Sequence, residues 1–243
     1  MTPVTPPTEP LFRTDPYART CEAQVGTPAP GAVRLDRTVF YPEGGGQPGD
    51  SGVLRAADGS ELAVHGTRKG EAAGDILHLV DPDAAVPAPG SSVIAELDWE
   101  RRHRHMRMHT CLHLLSAVID APVTGGQLTA EKGRLDFDLD TRLEKAAVEE
   151  ALNALIARDL PVAARWISDE SLAAQPELVK TMRVKPPAGQ GRVRLIDVDG
   201  VDLQPCGGTH VARTGEIGPV VVRKIESKGR HNRRVVLVFG DAS

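Results

Sequence analysis

The sequence predicts an α+β fold, with a small N-terminal β-barrel domain followed by an α+β domain. Three observations lead there. Residues 17–97 carry short β-rich runs separated by turn residues, at the spacing of a small barrel or sandwich. At Asp98 the pattern changes to helical periodicity. Beyond residue 160, β-rich runs return after the helices, an order that packs helices against an antiparallel sheet. A chain of 243 residues holds one large core or two small ones. The expected division is a leader over 1–12, the β-barrel-like domain over 13–97 and the second domain over 98–243.

In chain order, residues 1–10 are rich in Pro and Thr and have neither a basic start nor an apolar core. They read as a disordered leader and not as a signal peptide. Residues 33–41 form a β-rich run, 53–55 and 61–65 flank an Asp58–Gly59 turn, and 75–80 and 92–97 follow as strands. Between the first two lies Glu43-Gly44-Gly45-Gly46-Gln47-Pro48-Gly49-Asp50. Three successive glycines allow close backbone approach to a ligand, and Gln47 offers both a donor and an acceptor. The plain alternative is a flexible hairpin loop. Asp98 is a good N-cap for a helix over 99–119, whose apolar residues include Met108, Leu112, Leu115 and Ile119. Thr141 and Glu144 have capping-box spacing, predicting a helix from there to about 158. Strands are expected at 162–167, 193–198 and 219–226, with 233–239 returning antiparallel to the last. There is no internal repeat.

Composition excludes some classes. No apolar run approaches the roughly 18 residues of a membrane span. Three cysteines give no disulfide framework, so a reducing, cytoplasmic setting is expected. The net charge of −4 does not announce a nucleic-acid binder. The charge is clustered, however. Lys224, Lys228, Arg230, Arg233 and Arg234 crowd a stretch whose only acid is Glu226, and Arg101, Arg102, Arg104 and Arg107 crowd another. Screening confines each charge to about 8–10 Å, so a local patch can bind phosphates on an acidic protein. Solvated faces of a hairpin and a helix are the plain alternative.

Two residue pairs carry the chemistry: His109 and His113 in His109-Thr110-Cys111-Leu112-His113, and Cys206 and His210 in Cys206-Gly207-Gly208-Thr209-His210. On a helix, i and i+4 stack on one face about 5–6 Å apart, close enough to share an ion. Three imidazoles and a thiolate suit one tetrahedral zinc per chain. His105 shares the helix face, so spacing alone leaves open which adjacent two of the three helix histidines bind. Cys111 points away from that face and is expected in the core. A zinc peptidase would have glutamate where Thr110 stands, and a zinc finger would keep its pairs close in sequence. The metal therefore ties distant segments together.

These segments resemble a known family. His109-Thr110-Cys111-Leu112-His113-Leu114-Leu115, the stretch Asp202 to Val211 and the stretch Ile225 to Arg234 are similar to the free-standing alanyl-tRNA editing proteins, AlaX, and to the alanyl-tRNA synthetase editing domain. The zinc motifs are shared with the threonyl-tRNA synthetase editing domain. Residues 38–50, with the glycine-rich segment, point to the alanine branch and to the longer AlaX type. The likeness covers nearly the whole chain after the leader. One departure is Cys111, where the synthetase form usually has alanine.

The resemblance implies a barrel-like domain followed by a zinc-binding editing domain, with zinc on His109, His113, Cys206 and His210. It implies tRNA(Ala) as partner and hydrolysis of the ester joining a wrong amino acid to its terminal adenosine: chiefly Ser-tRNA(Ala), with Gly-tRNA(Ala) as a further candidate. The chain leaves no room for a synthetase activation domain, so neither ligase activity nor ATP use is expected. Serine is larger than alanine, so the site must recognise the hydroxyl positively. Thr38 and Gln47, bracketing the glycines, are the candidates for that role, with Gly44, Gly45 and Gly46 approaching the aminoacyl end. Lys228, Arg230, Arg233 and Arg234 are expected on the tRNA backbone. Asp136 and Asp202 are weak candidates for a general base, and an activated ester could be hydrolysed by a positioned water alone. Two other classes stay open: a non-catalytic tRNA-binding module with a structural zinc, and a zinc hydrolase of small amides or esters. No obligate protein partner is evident.

Overall fold

The structure, a computed structural model, describes residues 7–27, 29–182 and 191–240. It divides into two compact units, Met1–His103 and Arg104–Ser243, and the division falls within the long helix α1, Trp99–Val118.

The first unit contains β1 (Glu9–Pro10), β2 (Thr20–Gln24), β3 (Ala32–Val33), β4 (Arg37–Thr38), β5 (Gly52–Ala56), β6 (Glu61–Val64), β7 (Gly66–Lys69), β8 (Ile76–Leu79) and β9 (Ser92–Leu97). In β9 the alternation is plain: Val93, Ala95 and Leu97 are buried and Ser92 and Ile94 exposed, as one covered sheet face requires. These residues join Val33, Val39, Phe40 and Leu54 in the core.

The expected barrel does not form. Among the described residues the strands make open sheets, ordered β2-β9-β5-β6 and β3-β8-β7, beside a β1–β4 pair. The cause lies in residues 33–41, which provide only the two-residue strands β3 and β4. The backbone N–H of Phe40 goes to the Thr38 hydroxyl (3.0 Å) and that of Tyr41 to the Asp50 carboxylate (2.6 Å). Those donors are spent on side chains and cannot extend a ladder. The leader also needs correction. Residues 1–6 lie outside the described residues, but Glu9 and Pro10 pair with Arg37 and Thr38, and Phe12 is buried. Burying Phe12 edge-on to Tyr41 offsets the ordering entropy that polar residues alone could not.

A buried chain of hydrogen bonds fixes the tautomer of His78. Its Nδ1 donates to the Val33 carbonyl (3.1 Å), and its Nε2 accepts the Thr38 hydroxyl proton (2.8 Å). Burial pushes the imidazole down to about 4, with the Val33 bond offsetting only part. Between pH 6.5 and 4 the unfolded chain therefore binds a proton that the folded one does not. Stability is full above pH 6.5 and falls as pH drops through that window, by up to about 3 kcal/mol. Urea unfolding of wild type and His78→Gln from pH 7 to pH 4 should show this slope in wild type and its loss in the variant. Equal slopes would exclude His78 as the source.

The second unit holds the rest of α1 and β10 (Val123–Leu128), β11 (Lys132–Asp138), α2 (Lys145–Ala157), β12 (Val162–Ser168), α3 (Asp169–Ala173), β13 (Arg192–Val198), β14 (Asp202–Pro205), β15 (Val220–Ser227) and β16 (Asn232–Phe239). Two antiparallel sheets result, β10-β11-β16-β15 and β12-β13-β14. Helix α1 packs closely on β11 at Gly133, where an added Cβ would sit 2.7 Å from the Met108 sulfur. Helix α2 buries Val148, Leu152 and Ile156, an i, i+4, i+8 stripe. Its predicted capping box does not form. The helix begins at Lys145 with Glu144 as N-cap, because the Thr141 hydroxyl bonds the Asp140 carboxylate (3.4 Å) instead of a helix N–H.

Candidate metal centre

Helix α1 supplies His109 and His113, and the loop after β14 supplies Cys206 and His210. One ligand atom from each lies within 4.8 Å of all the others. The i, i+4 spacing serves the two pairs differently: only the first lies on a helix. The second is an irregular loop in which the Gly208 N–H points at the Cys206 sulfur (3.4 Å). The Cys206 sulfur is 3.5 Å from His109 Nε2 and 3.3 Å from His210 Nε2. A tetrahedral zinc with bonds of about 2.0–2.3 Å needs ligand separations of about 3.3–3.6 Å, so these donors fit it. His105, one turn earlier on α1, is not part of the cluster.

Neighbouring side chains fix how the histidines face. His113 Nδ1 donates to Asp202 Oδ2 (3.0 Å), which turns Nε2 inward. Asp202 in turn accepts from Lys180 Nζ (2.7 Å) and Gln204 Nε2 (2.7 Å). Burial alone would raise this carboxyl, but His113, Lys180 and Gln204 outweigh burial and hold it down at about 2. Thr110 spends its one proton on the Met106 carbonyl (3.0 Å), so its oxygen accepts from His210 Nδ1 (3.1 Å) and presents Nε2 of that ring. Burial would also raise the Cys206 thiol, yet the adjacent His109 and His210 rings bring it well below its ordinary range. Arg194 Nη1 holds the loop by its carbonyls, Cys206 O at 3.0 Å and Gly208 O at 2.9 Å.

Thr110, Gln204, Lys180 and Arg194 were not legible as members of this site. A signal for one existed: Asp202, Gln204 and Cys206 alternate, so they share a face of the chain entering the cluster. The base candidates have other partners. Asp202 orients His113. Asp136 is gripped by Arg234 (2.7 and 2.8 Å) and Arg134 (2.9 Å), which overcome burial and hold its carboxyl below the ordinary range.

The glycine-rich segment is a tight turn in the first unit. Gly44 and Gln47 exchange both backbone hydrogen bonds (3.1 and 3.0 Å). Gly45 (φ 59°) and Gly46 (φ 83°) occupy the two positive-φ positions that a two-residue turn of this hand requires. The Tyr41 hydroxyl donates to Gly44 O (2.9 Å). Gln47 and Thr38 are both fully buried.

The basic clusters are largely tied to their own chain. In the β15–β16 hairpin, Arg234 binds Asp136, Arg233 donates to the carbonyls of Gly229 and Asp140, and Lys224 and Lys228 pair with Glu226. Arg230 is exposed at the turn. Arg102 is completely buried, Arg101 bonds Gly49 O, and Arg104 and Arg107 lie over the Phe239 ring.

Residues 193–236 match the family described as Threonyl and Alanyl tRNA synthetase second additional domain, and residues 16–101 match tRNA synthetases class II (A). Curated relatives align along almost all of the chain. The alanyl-tRNA editing protein AlaX-M of Methanosarcina mazei is 37% identical over 240 residues, 94% of this chain and 95% of its own. AlaX-M of Saccharolobus solfataricus is 34% identical, covering 94% of this chain and 97% of its own. The alanine–tRNA ligase of Pyrobaculum calidifontis is 40% identical over 91% of this chain, which spans 25% of that protein. With such identity from end to end, the chain belongs to the AlaX family of alanyl-tRNA editing proteins.

Proposed function

We propose that this protein is a trans-editing hydrolase that deacylates mischarged alanine tRNA. Ser-tRNA(Ala) is the chief substrate and Gly-tRNA(Ala) a second, and one zinc ion is held by His109, His113, Cys206 and His210. The observation that carries the reading is this oriented set of three imidazoles and one thiolate in a chain matching AlaX-M proteins over 94% of its length. Water adds to the ester carbonyl and the bond to the terminal ribose oxygen breaks, giving free amino acid and tRNA with its hydroxyl restored. Bound zinc supplies Lewis-acid polarisation. With Asp136 and Asp202 occupied, the ester's own reactivity and a positioned water replace a dedicated base.

Serine is told from alanine by Thr38 and Gln47. The Thr38 hydroxyl donates to His78 and accepts the Phe40 N–H, which leaves one lone pair; the side chain is fully buried, so substrate binding must uncover it before it accepts the serine hydroxyl proton. Alanine leaves that lone pair unmet. The test is release of amino acid from Ser-, Gly- and Ala-tRNA(Ala). Thr38→Val should shrink the seryl-to-alanyl ratio of kcat/KM by roughly the 1–3 kcal/mol of one unpaired polar group. Gln47→Ala should lower serine release with zinc retained. The ratio is insensitive to the folded fraction, so loss of the His78 bond in Thr38→Val does not confound it. Wild-type ratios in both variants would place discrimination elsewhere. A four-ligand zinc is also what a structural site has. This favours, as second reading, a non-catalytic tRNA-binding module, which would release no serine.

Lys228, Arg230, Arg233 and Arg234 are assigned to the tRNA backbone. Removing one cation that neutralises a phosphate should reduce the salt slope of log K by about one unit. Arg230→Gln should show the full change, and Lys228→Gln and Arg234→Gln less, since Glu226 and Asp136 already pair with those two cations. An unchanged slope in Arg230→Gln would remove the hairpin from the tRNA interface.

A further inference from the structure

The sheet β12-β13-β14 carries a feature that metal binding does not use. Trp166, on the edge strand β12, is an exposed aromatic, 39% accessible, with the Arg192 guanidinium 4.6 Å from its ring centroid. Leaving a tryptophan open to water forgoes one of the larger burial gains available to a side chain. Its position is specific. Trp166 lies directly opposite Arg194 in the ladder, so both side chains stand on one face of the sheet. Ile196 and Gln204 form another row on that face, as do Val198 and Asp202, and Asp202 and Gln204 are the residues that orient His113. Cys206 continues the row of Trp166 and Arg194: its N–H donates to the Arg194 carbonyl (3.0 Å), and Arg194 Nη1 grips the Cys206 carbonyl in return. Trp166 is thus two strand spacings, roughly 10 Å, from the metal-binding cysteine.

We propose that Trp166 and Arg192 form a stacking platform for the unpaired bases at the 3′ end of the tRNA. The proposal rests on the reading above, in which the reacting ester sits on the terminal nucleotide of that strand. A base stacks on indole or on a guanidinium plane whatever its identity, and the Arg192 guanidinium lying over one face of the ring extends the stack and adds attraction for the phosphate. The flanks suit a flat ligand: Ala164 and Ser168, two residues to either side on the same face, are too small to cover the ring. Among the described residues Trp166 is the one exposed large hydrophobic on this sheet. That favours a nucleotide over a protein partner, whose interface would need a larger buried core.

The chain has two tryptophans, Trp99 and Trp166, so subtracting the Trp166→Phe signal from wild type isolates the fluorescence of Trp166. Two uncharged tRNA(Ala) transcripts would be titrated, one intact and one lacking its last three nucleotides. The intact transcript should quench Trp166 and the trimmed one should not. Trp166→Ala should raise Kd for the intact transcript about 5- to 100-fold, leave Kd for the trimmed one unchanged and keep zinc at wild-type content. Trp166→Phe should restore most of the affinity. Equal quenching by both transcripts, or an unchanged Kd in Trp166→Ala, overturns the proposal. The outcome separates from the functional reading. Serine release without end-dependent quenching removes the platform alone, and end-dependent quenching without serine release removes the hydrolase alone.

Discussion

Replacing Cys206 and His210 together with alanine is expected to give a protein without zinc that no longer releases serine from Ser-tRNA(Ala), since only two of the four proposed donors remain. Cys206 would supply the one anionic ligand of the proposed four, and the His109 and His210 rings that lower its pKa belong to the same cluster. Ligands and their supports should separate in size of effect. Asp202→Asn and Thr110→Val keep all four donors but disturb the groups fixing the His113 and His210 rings. Each should weaken zinc affinity about 10- to 100-fold without abolishing it. His105→Ala should keep one zinc per chain. Elemental analysis after dialysis against graded chelator reads all of these. Full zinc in the Cys206→Ala, His210→Ala double variant would mean that the ion is held elsewhere.

What was legible in advance follows from how local each determinant is. The clustering of four potential metal donors could be read because ligand chemistry restricts residue type and, for His109 and His113, because a helix repeats at i, i+4. Strand β9 and the start of α1 at Asp98 could be read because periodicity and N-capping act over a few residues: the Arg101 N–H does donate to the Asp98 carboxylate (3.1 Å). Strands β10 and β11 could not. Gly125, Gly126 and Gly133 have poor intrinsic preference for a strand; the first two are held by pairing with β11, and Gly133 by neighbours distant in sequence, β16 in the ladder and Met108 of α1 packed against it. The barrel was misread for the converse reason. Residues 33–41 have β-rich composition, but Thr38 and Asp50 take the backbone donors that would have extended the sheet. The charge clusters were legible only in part, because sequence shows which charges exist and not which of them already have partners.

Arg102 shows that last difference most sharply, and its replacement is expected to have the largest effect on stability in the first unit. Sequence places it in a basic cluster suited to phosphates. In the structure it is fully buried, pairing through Nε (2.8 Å) and Nη2 with Asp50 Oδ2 and donating to the carbonyls of Val39 (2.7 Å) and Pro16 (3.1 Å). Asp50 also accepts the Tyr41 N–H, and its Oδ1 has no hydrogen-bond partner among the described residues. One guanidinium therefore fastens both ends of the glycine-rich turn, Tyr41 and Asp50, to the first turn of α1. Arg102→Met leaves the carboxylate buried without a counter-charge and should cost about 3–5 kcal/mol in urea unfolding. Arg102→Lys keeps the charge but loses the fork that reaches three acceptors, so it should fall between wild type and Arg102→Met. Asp50→Asn should cost much as Arg102→Met does, and combining the two should cost clearly less than their sum, because no lone buried charge remains. None of these side chains belongs to the His109, His113, Cys206 and His210 cluster, so zinc content should stay at the wild-type value while the glycine-rich turn loosens and, with Gln47 in its proposed role, serine release declines. Additive costs in the double variant, or a wild-type urea midpoint for Arg102→Met, would show that the pair does not hold the turn.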